Sequence, residues 1–315
     1  MLPYNLLGVI KISAFTFEGI ITKAVGGVYY VDAFDGIFKG NNVKCAARGI
    51  FRSKGISPSA GDFVRVDGEE NSEPVITEIR ERKNYLVRPP LANLDKIVLV
   101  NSTAEPAVNR FILDKLIAIA DSKNIEPVVV FTKIDIENAG DLPEIYRSIG
   151  IPVCAVDNMT GEGAESVREL IAGKITAFIG NSGVGKSSLL NALYPELGLD
   201  TAHISRKLGR GRHTTRQVEL YKKDGGYIAD TPGFSTVDTE RYVRIPKDEL
   251  SGAFREFREY VGECMFADCV HVKEKGCAVR AAVDEGKIAK SRYESYLRMF
   301  EEASKINDWE SKNGK

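Results

Sequence analysis

The octapeptide GNSGVGKS at residues 180–187 fits the pattern G-x-x-x-x-G-K-S, follows the apolar run KITAFI and precedes the helix-forming SLLNAL. Glycines at such a bend let consecutive backbone N–H groups curl around a phosphate, and the helix that follows adds donors and a favourable dipole. Lys186 then contacts the β- and γ-phosphates, and the hydroxyl of Ser187 coordinates Mg²⁺. Gly180, Asn181, Ser182, Gly183, Val184, Gly185, Lys186, Ser187 and the adjoining Ser188 are the predicted phosphate-binding residues.

Downstream, DTPG closes another apolar run; Asp230 can act through the Mg²⁺ shell and Gly233 can offer its N–H to the γ-phosphate. Between the two motifs lies SRKLGRGRHTTR at 205–216, rich in glycine, base and hydroxyl. That composition suits a loop ordered by γ-phosphate and Mg²⁺ and released after hydrolysis. Thr215, with Thr214 as the alternative, supplies a second hydroxyl to Mg²⁺. His213 can position water or accept a proton, since its unperturbed pKa is near neutrality; a histidine that faces RNA or only sets the loop's conformation leaves the same sequence. The predicted catalytic set is therefore His213, Lys186, Thr215 and Gly233.

Upstream, VVVFTKID sets Thr132, Lys133 and Asp135 at the end of a strand. The Asp135 carboxylate can accept hydrogen bonds from guanine N1 and its exocyclic amine, where adenine offers the opposed pattern. Lys133 can lie along the base through its aliphatic stem, and Cys154 and Ala155, after the next strand, complete the expected base pocket. The ligand read from these residues is GTP or GDP with Mg²⁺.

A second chemistry is written in CMFADCVHVKEKGC, which spaces Cys264, Cys269, His271 and Cys277 as C-x4-C-x-H-x5-C within fourteen residues. Three thiolates and one imidazole satisfy a tetrahedral structural Zn²⁺ without an open catalytic position, so one zinc per chain is expected. Such an ion can replace the core that a short module lacks. The plain alternative is a set of reduced, buried cysteines beside a surface histidine.

These residues need elements to hold them. From residue 96 short apolar strands (IVLVNST, EPVVVFT, PVCAV, KITAFIG) alternate with helix-length segments such as RFILDKLIAIADSK, the order of an α/β domain with a mostly parallel sheet. Over 19–79, GIITKAVGGVYYVD, NNVKCAARGIF, GDFVRV and PVITEI read as strands of a small antiparallel barrel, able to bind RNA on its face or to serve structure alone. The stretch ERKNYLVRPPLANLDK, with Pro89 and Pro90, reads as a linker in which Arg82, Lys83 and Arg88 face RNA or solvent. From about 246 the chain turns helical and charged, offering contact surfaces for RNA or protein or a cap on the nucleotide domain.

The order TKID, GNSGVGKS, GRHTTR, DTPG is inverted relative to ordinary GTPases, which carry the phosphate loop first. In this the sequence closely resembles the ribosome small-subunit-dependent GTPases, the circularly permuted RsgA family, over nearly its whole length. The resemblance implies an N-terminal OB-like β-barrel, a circularly permuted P-loop α/β GTPase domain and a C-terminal zinc-binding helical domain, divided here as an extension 1–18, barrel 19–80, linker 81–95, GTPase domain 96–245 and zinc domain 246–315. It further implies GTP hydrolysis stimulated by the small ribosomal subunit during its late maturation, with rRNA and ribosomal proteins as partners. The guanine-reading residues fall on Thr132, Lys133 and Asp135, with Cys154 and Ala155 in the second loop. Thr132 stands where the common pattern has asparagine, so that loop is expected to be less tightly pinned, and Cys154 replaces the usual serine. Gly183 occupies the asparagine position of potassium-dependent relatives, which argues against potassium activation. Phe234 replaces a water-orienting glutamine, so intrinsic hydrolysis should be slow.

The chain of 315 residues carries 43 Lys+Arg against 44 Asp+Glu, a formal charge of −1, which excludes a uniformly basic protein without excluding a nucleic-acid partner. The run 206–223 holds seven Lys/Arg and one Glu, a local basic segment suited to phosphate backbones. The apolar run 6–12 lacks a basic leader and an Ala-x-Ala-like site, and no run of about 18 apolar residues occurs. A cytoplasmic, reducing compartment with no membrane contact and a monomeric chain are the expectations, in keeping with clustered cysteines that read as metal ligands rather than disulfides. The rival readings are a nucleotide-gated scaffold that binds RNA and, disfavoured by TKID, an ATP-dependent nucleic-acid enzyme.

Overall fold

A computed structural model describes residues 14–87, 89–199, 218–230 and 245–313, without the side chains of 230 and 306–313. His203, His213, Thr214, Thr215, Gly233, Phe234, Arg88 and the basic run up to residue 217 lie outside the described residues.

Five strands make the N-terminal barrel: β1 (Ala14–Val25), β2 (Val28–Ala33), β3 (Asn42–Ala47), β4 (Phe63–Glu69) and β5 (Val75–Ile79). Gly26 and Gly27, both with positive φ, close the β1–β2 hairpin in the two-residue turn that matches strand twist. Pairings run β1–β2, β2–β3, β3–β5, β5–β4 and back from β4 to β1, so the sheet closes on itself. Phe17, Ile21, Val31, Cys45, Val64, Val66 and Ile76 fill its interior. The run GIF after β3 is helical instead of extended, forming α1 (Gly49–Ser53). Strand β1 already pairs Ala14 with Glu69, so residues 14–18, expected in the extension, are barrel.

The expected linker is not a solvated connector. Residues Tyr85–Val87 (β6) and Pro90–Ala92 (β7) form a hairpin, and Leu86, Leu91 and Leu94 are buried with the nucleotide-domain core. Pro90 is tolerated because it opens its strand, where a missing N–H costs least. Asn84 closes the hairpin's base, its amide donating to the Leu94 carbonyl (2.8 Å) and accepting from the Leu94 N–H (2.9 Å). Arg82 is turned inward onto the fully buried Asp62 (2.6 and 2.7 Å) and Lys83 pairs with Asp95, so both have partners in the protein.

The second sheet runs β10-β9-β8-β11-β13-β12, built from β8 (Lys96–Ser102), β9 (Glu126–Thr132), β10 (Val153–Val156), β11 (Ile175–Ile179), β12 (Glu219–Lys223) and β13 (Gly226–Asp230). All neighbours are parallel except β12–β13. Because strand side chains alternate between faces, Ile97, Leu99, Val129 and Phe131 meet α2 (Arg110–Ser122) and α3 (Leu142–Arg147) on one side. Val98, Val100, Val128 and Val130 meet α4 (Ala164–Ile171) and α5 (Lys186–Leu193) on the other. Strands β9 and β10 are added on one side of β8 and β11 on the other; this reversal opens a crevice at the strands' C-terminal ends, where open α/β sheets bind ligands.

Barrel and sheet are joined. Lys23 of β1 pairs with Glu219 of β12 in the ladder and by a 2.8 Å ion pair, and Asp32 of β2 takes hydrogen bonds from Tyr227 and Lys222. At the C-terminus, α6 (Ala278–Asp284) and α7 (Lys290–Asn313) pack with Phe254 and Phe257 against Ala118 and Ile119 of α2. A buried network fixes that junction: Arg292, fully buried, pairs with Asp114 of α2 (2.9 Å) and Glu256 (2.7 Å), while Ser295 and Tyr146 also donate to Asp114. Burial alone would lower the Arg292 pKa, but the two carboxylates raise it and keep the guanidinium charged.

Candidate functional site

The loop 180–185 leaves β11 and enters α5 at Lys186. Gly183 and Gly185 have φ of +84° and +86°, which a side chain would strain, and a Cβ on Gly185 would lie 2.5 Å from the amide nitrogen of Asn158. Val184 is buried against Val100 and Leu189 and seats the loop, while Ser182 and Gly183 stay exposed. Ser187 and Ser188 occupy the first turn of the helix.

Thr132 ends β9, wholly buried. Its hydroxyl donates to the Val184 carbonyl at 2.5 Å and lies 3.2 Å from that of Asn101. The expectation that a threonine here leaves the loop loosely pinned is therefore corrected: the shorter side chain reaches the phosphate loop because β9 ends directly beneath it. Lys133 follows with φ +59°, and its ammonium donates to the Glu105 carbonyl at 2.5 Å, which stretches the stem across the site. Thr103 braces the same bend, its N–H donating to the Thr132 carbonyl (3.0 Å) and its hydroxyl to that of Lys133 (2.8 Å). Asp135 sits in the next turn, exposed. Asp230 ends β13, with its backbone opposite Glu219.

Cys154 and Ala155 are placed differently from the expectation. Both lie inside β10, in register with Val130 and Phe131, and Cys154 is buried in the core facing α4 and α5. Burial raises its thiol pKa, as expected of a core cysteine. The strand runs on to Val156, so the loop at the crevice is 157–163. Asp157 folds it, accepting from the N–H of Met159 (2.7 Å) and the hydroxyl of Thr160 (2.8 Å), bonds that lower its pKa. Asn158 donates to the Gly185 carbonyl at 3.1 Å. Sequence reading missed both; the available signal was the polar run DNMTGEG, which begins only after Val156.

Two loops thus grip the loop 180–185 from beneath, and the residues expected to bind base and phosphates lie at one end of the sheet. One family model, described as the RsgA GTPase, matches residues 79–240, and another, the RsgA N-terminal domain, matches 18–76. The chain belongs to the RsgA family of GTPases. A Caldanaerobacter subterraneus protein called small ribosomal subunit biogenesis GTPase RsgA is 44% identical over 300 residues, covering 94% of this chain and 99% of that protein. A Geobacillus protein of the same name is 44% identical over 291 residues, covering 90% and 97%. Among solved structures, YjeQ from Thermotoga maritima superposes with a TM-score of 0.78 at 35% identity, covering 92% of this chain and 99% of that one. YloQ, described as a circularly permuted GTPase, gives 0.75 at 35% identity over 93% and 96%. The chain is a GTP hydrolase that combines an OB-like barrel, a permuted GTPase domain and a C-terminal Cys3His cluster.

That cluster draws together all four predicted ligands, whose donor atoms lie within 4.8 Å of one another. The three sulfurs stand 3.4 to 3.5 Å from His271 Nδ1, and those of Cys264 and Cys277 are 4.0 Å apart. A tetrahedral zinc shell has edges of roughly 3.5–3.8 Å, so the residues fit the ion. Backbone N–H groups of Ala278 and Arg280 point at the Cys264 and Cys277 sulfurs, and Cys277 caps α6, an arrangement that favours thiolates. Burial raises the Cys269 and Cys277 thiols and lowers His271, a balance that a bound cation would invert.

Proposed function

We propose that this chain hydrolyses GTP in the assembly of the small ribosomal subunit, with the subunit stimulating turnover and hydrolysis releasing the factor. The single observation that carries the reading is the hydrogen bond by which Thr132, the first residue of TKID, holds the Val184 carbonyl of the loop 180–188, together with the names of the RsgA relatives.

In this reading Asp135 accepts the guanine N–H groups, and the Lys133 stem flanks the base. The backbone of 157–159 takes the place expected for Cys154 and Ala155 on the base's other edge. The amides from Gly183 to Lys186 and the Lys186 ammonium hold the β- and γ-phosphates. Ser187 and Asp230, with Thr215 or Thr214, would hold Mg²⁺, which neutralises charge on the phosphate oxygens. Gly233 offers its N–H to the γ-phosphate, and His213 orients water or takes its proton. With Phe234 in place of a polar group, the subunit completes the hydrolytic geometry. The Cys3His cluster holds one structural zinc, and the basic run 206–216 meets rRNA when GTP orders it.

GTP turnover measured with and without purified small subunits, against ATP and GDP controls, tests this. Stimulation by the subunit and GTP-dependent association are expected; absence of both sinks the proposal, and association without turnover leaves a nucleotide-gated scaffold. His213→Ala should keep subunit binding and lose stimulated turnover, whereas normal turnover would exclude an essential role.

A further inference from the structure

Asn158 stands outside every motif that the sequence offers, yet it touches the phosphate loop. Its Nδ2 donates to the Gly185 carbonyl at 3.1 Å, the same oxygen that accepts the N–H of Leu189 at 2.8 Å as α5 begins. One residue earlier, the Val184 carbonyl takes the Thr132 hydroxyl. Two successive carbonyls of the loop are therefore held from below, one from the end of β9 and one from the loop after β10.

Peptide geometry gives these bonds a consequence. In a trans peptide the C=O and the following N–H point in opposite directions within one plane. Fixing the carbonyls of Val184 and Gly185 sets the directions of the N–H groups of Gly185 and Lys186, which face away from the core and toward the phosphates. The amide's other end supplies a second observation. Asn158 Oδ1 is shut off from solvent and finds no hydrogen-bond donor among the described residues. Turning the amide over would set that oxygen against the Gly185 carbonyl, so the orphaned acceptor persists in the service of the clamp. Buried acceptors of this kind are rare in proteins and mark sites completed by a ligand or an ordered water.

We infer that Asn158 is a positioning residue that couples the base-side loop 157–163 to the β-phosphate grip, and so sets how long GDP and GTP stay bound. The inference rests on the reading of this crevice as the guanine-nucleotide site. Asn158 acts through Gly185 and the loop amides, so its removal should weaken ligands that carry a β-phosphate and spare those that do not.

The experiment compares Asn158→Ala and the isosteric Asn158→Asp with the wild-type chain, using stopped-flow release of fluorescent GDP and equilibrium binding of GDP and GMP. Release of GDP is expected to accelerate about tenfold in both variants, equivalent to about 1.4 kcal/mol, while GMP affinity changes by less than twofold. Asn158→Asp keeps the side chain's shape and acceptors but loses the donor, so it should behave as Asn158→Ala does. Equal losses for GDP and GMP, or unchanged GDP release in Asn158→Asp, would overturn the inference. A lowered thermal midpoint with unchanged GDP release would assign Asn158 to folding alone and overturn it too. The wild-type measurement stands apart: a chain that binds neither nucleotide refutes the guanine-site reading itself.

Discussion

The phosphate loop and the Cys3His cluster are both built to hold a charged ligand, and they do so with opposite materials. The loop offers backbone N–H groups whose directions come from a large surrounding core: β11 below, α5 behind, and Thr132 and Asn158 beneath the carbonyls. The cluster offers four side chains from one short segment, packed on Phe257, Tyr293 and Tyr296. Its secondary structure around the ligands is mostly turn, tied to α7 by the hydroxyls of Tyr293 and Tyr296 on the carbonyls of His271 and Val270, so an ion among the four side chains would supply much of its order. Ligand loss should empty the first site and dismantle the second.

Metal removal is the strongest way to break that contrast. Apparent zinc-binding free energies of small modules are about 10 kcal/mol or more. Chelation or Cys277→Ser should therefore expose 246–313 to proteolysis and abolish a metal content of about one zinc per chain, while GDP affinity falls by less than about threefold. A chain that stays fully protected without metal would place the cluster in the same class as the loop.

The next largest effect concerns the junction between the two regions. Removing the guanidinium of Arg292 leaves Asp114 and Glu256 buried without their counter-charge, a change worth about 3–5 kcal/mol. Arg292→Ala should lower stability in urea by that amount, with the zinc content preserved.

At the nucleotide site the expected effects are smaller because each bond is one of many. Lys186→Ala should weaken GTP by about 2 kcal/mol, a factor of roughly thirty, the scale of a hydrogen bond to a charged group. Thr132→Val keeps the shape and loses one donor to the Val184 carbonyl; about 1 kcal/mol and roughly fivefold faster GDP release are expected. Neither should change bound zinc, and a coupled loss would show that the two sites share one folding unit.

The smallest effect sharpens the comparison by touching neither site. Asp224, in the β12–β13 turn, accepts two hydrogen bonds from Arg168 (2.8 and 2.7 Å) and one from Tyr194 (2.8 Å). Arg168 foremost holds its carboxyl down at about 2, from an ordinary 3.8. A depressed folded pKa gives stability that is complete above 3.8 and fades as pH falls through 2. Asp224→Asn should therefore lower the thermal midpoint by about 2 °C at pH 7, with the gap to wild type narrowing by pH 2, and nucleotide and metal binding unchanged.

The loop 180–188, TKID and the Cys3His cluster were legible in the sequence because each motif is contiguous and its spacing sets its own local geometry. The barrel strands and the mostly parallel sheet were legible from alternation and from short apolar strands that alternate with helix-length segments. The errors fall where partners are distant. Cys154 and Ala155 stand near the end of the run PVCAV, and the register of β10 on β9, which carries the strand on to Val156, keeps them out of the crevice loop. The segment 81–95 has the composition of a linker, but Leu86, Leu91 and Leu94 find a core to enter only once the nucleotide domain has folded.

The sequence by itself determined which chemistry this protein carries, since glycines, a lysine and a hydroxyl in one bend, or three cysteines and a histidine within fourteen residues, bring it with them. Only the tertiary structure decided how the phosphate loop is held. Thr132 and Asn158 lie 52 and 27 residues from the carbonyls they grip. No local propensity encodes those contacts; they follow from parallel strands that end side by side at one edge of the sheet.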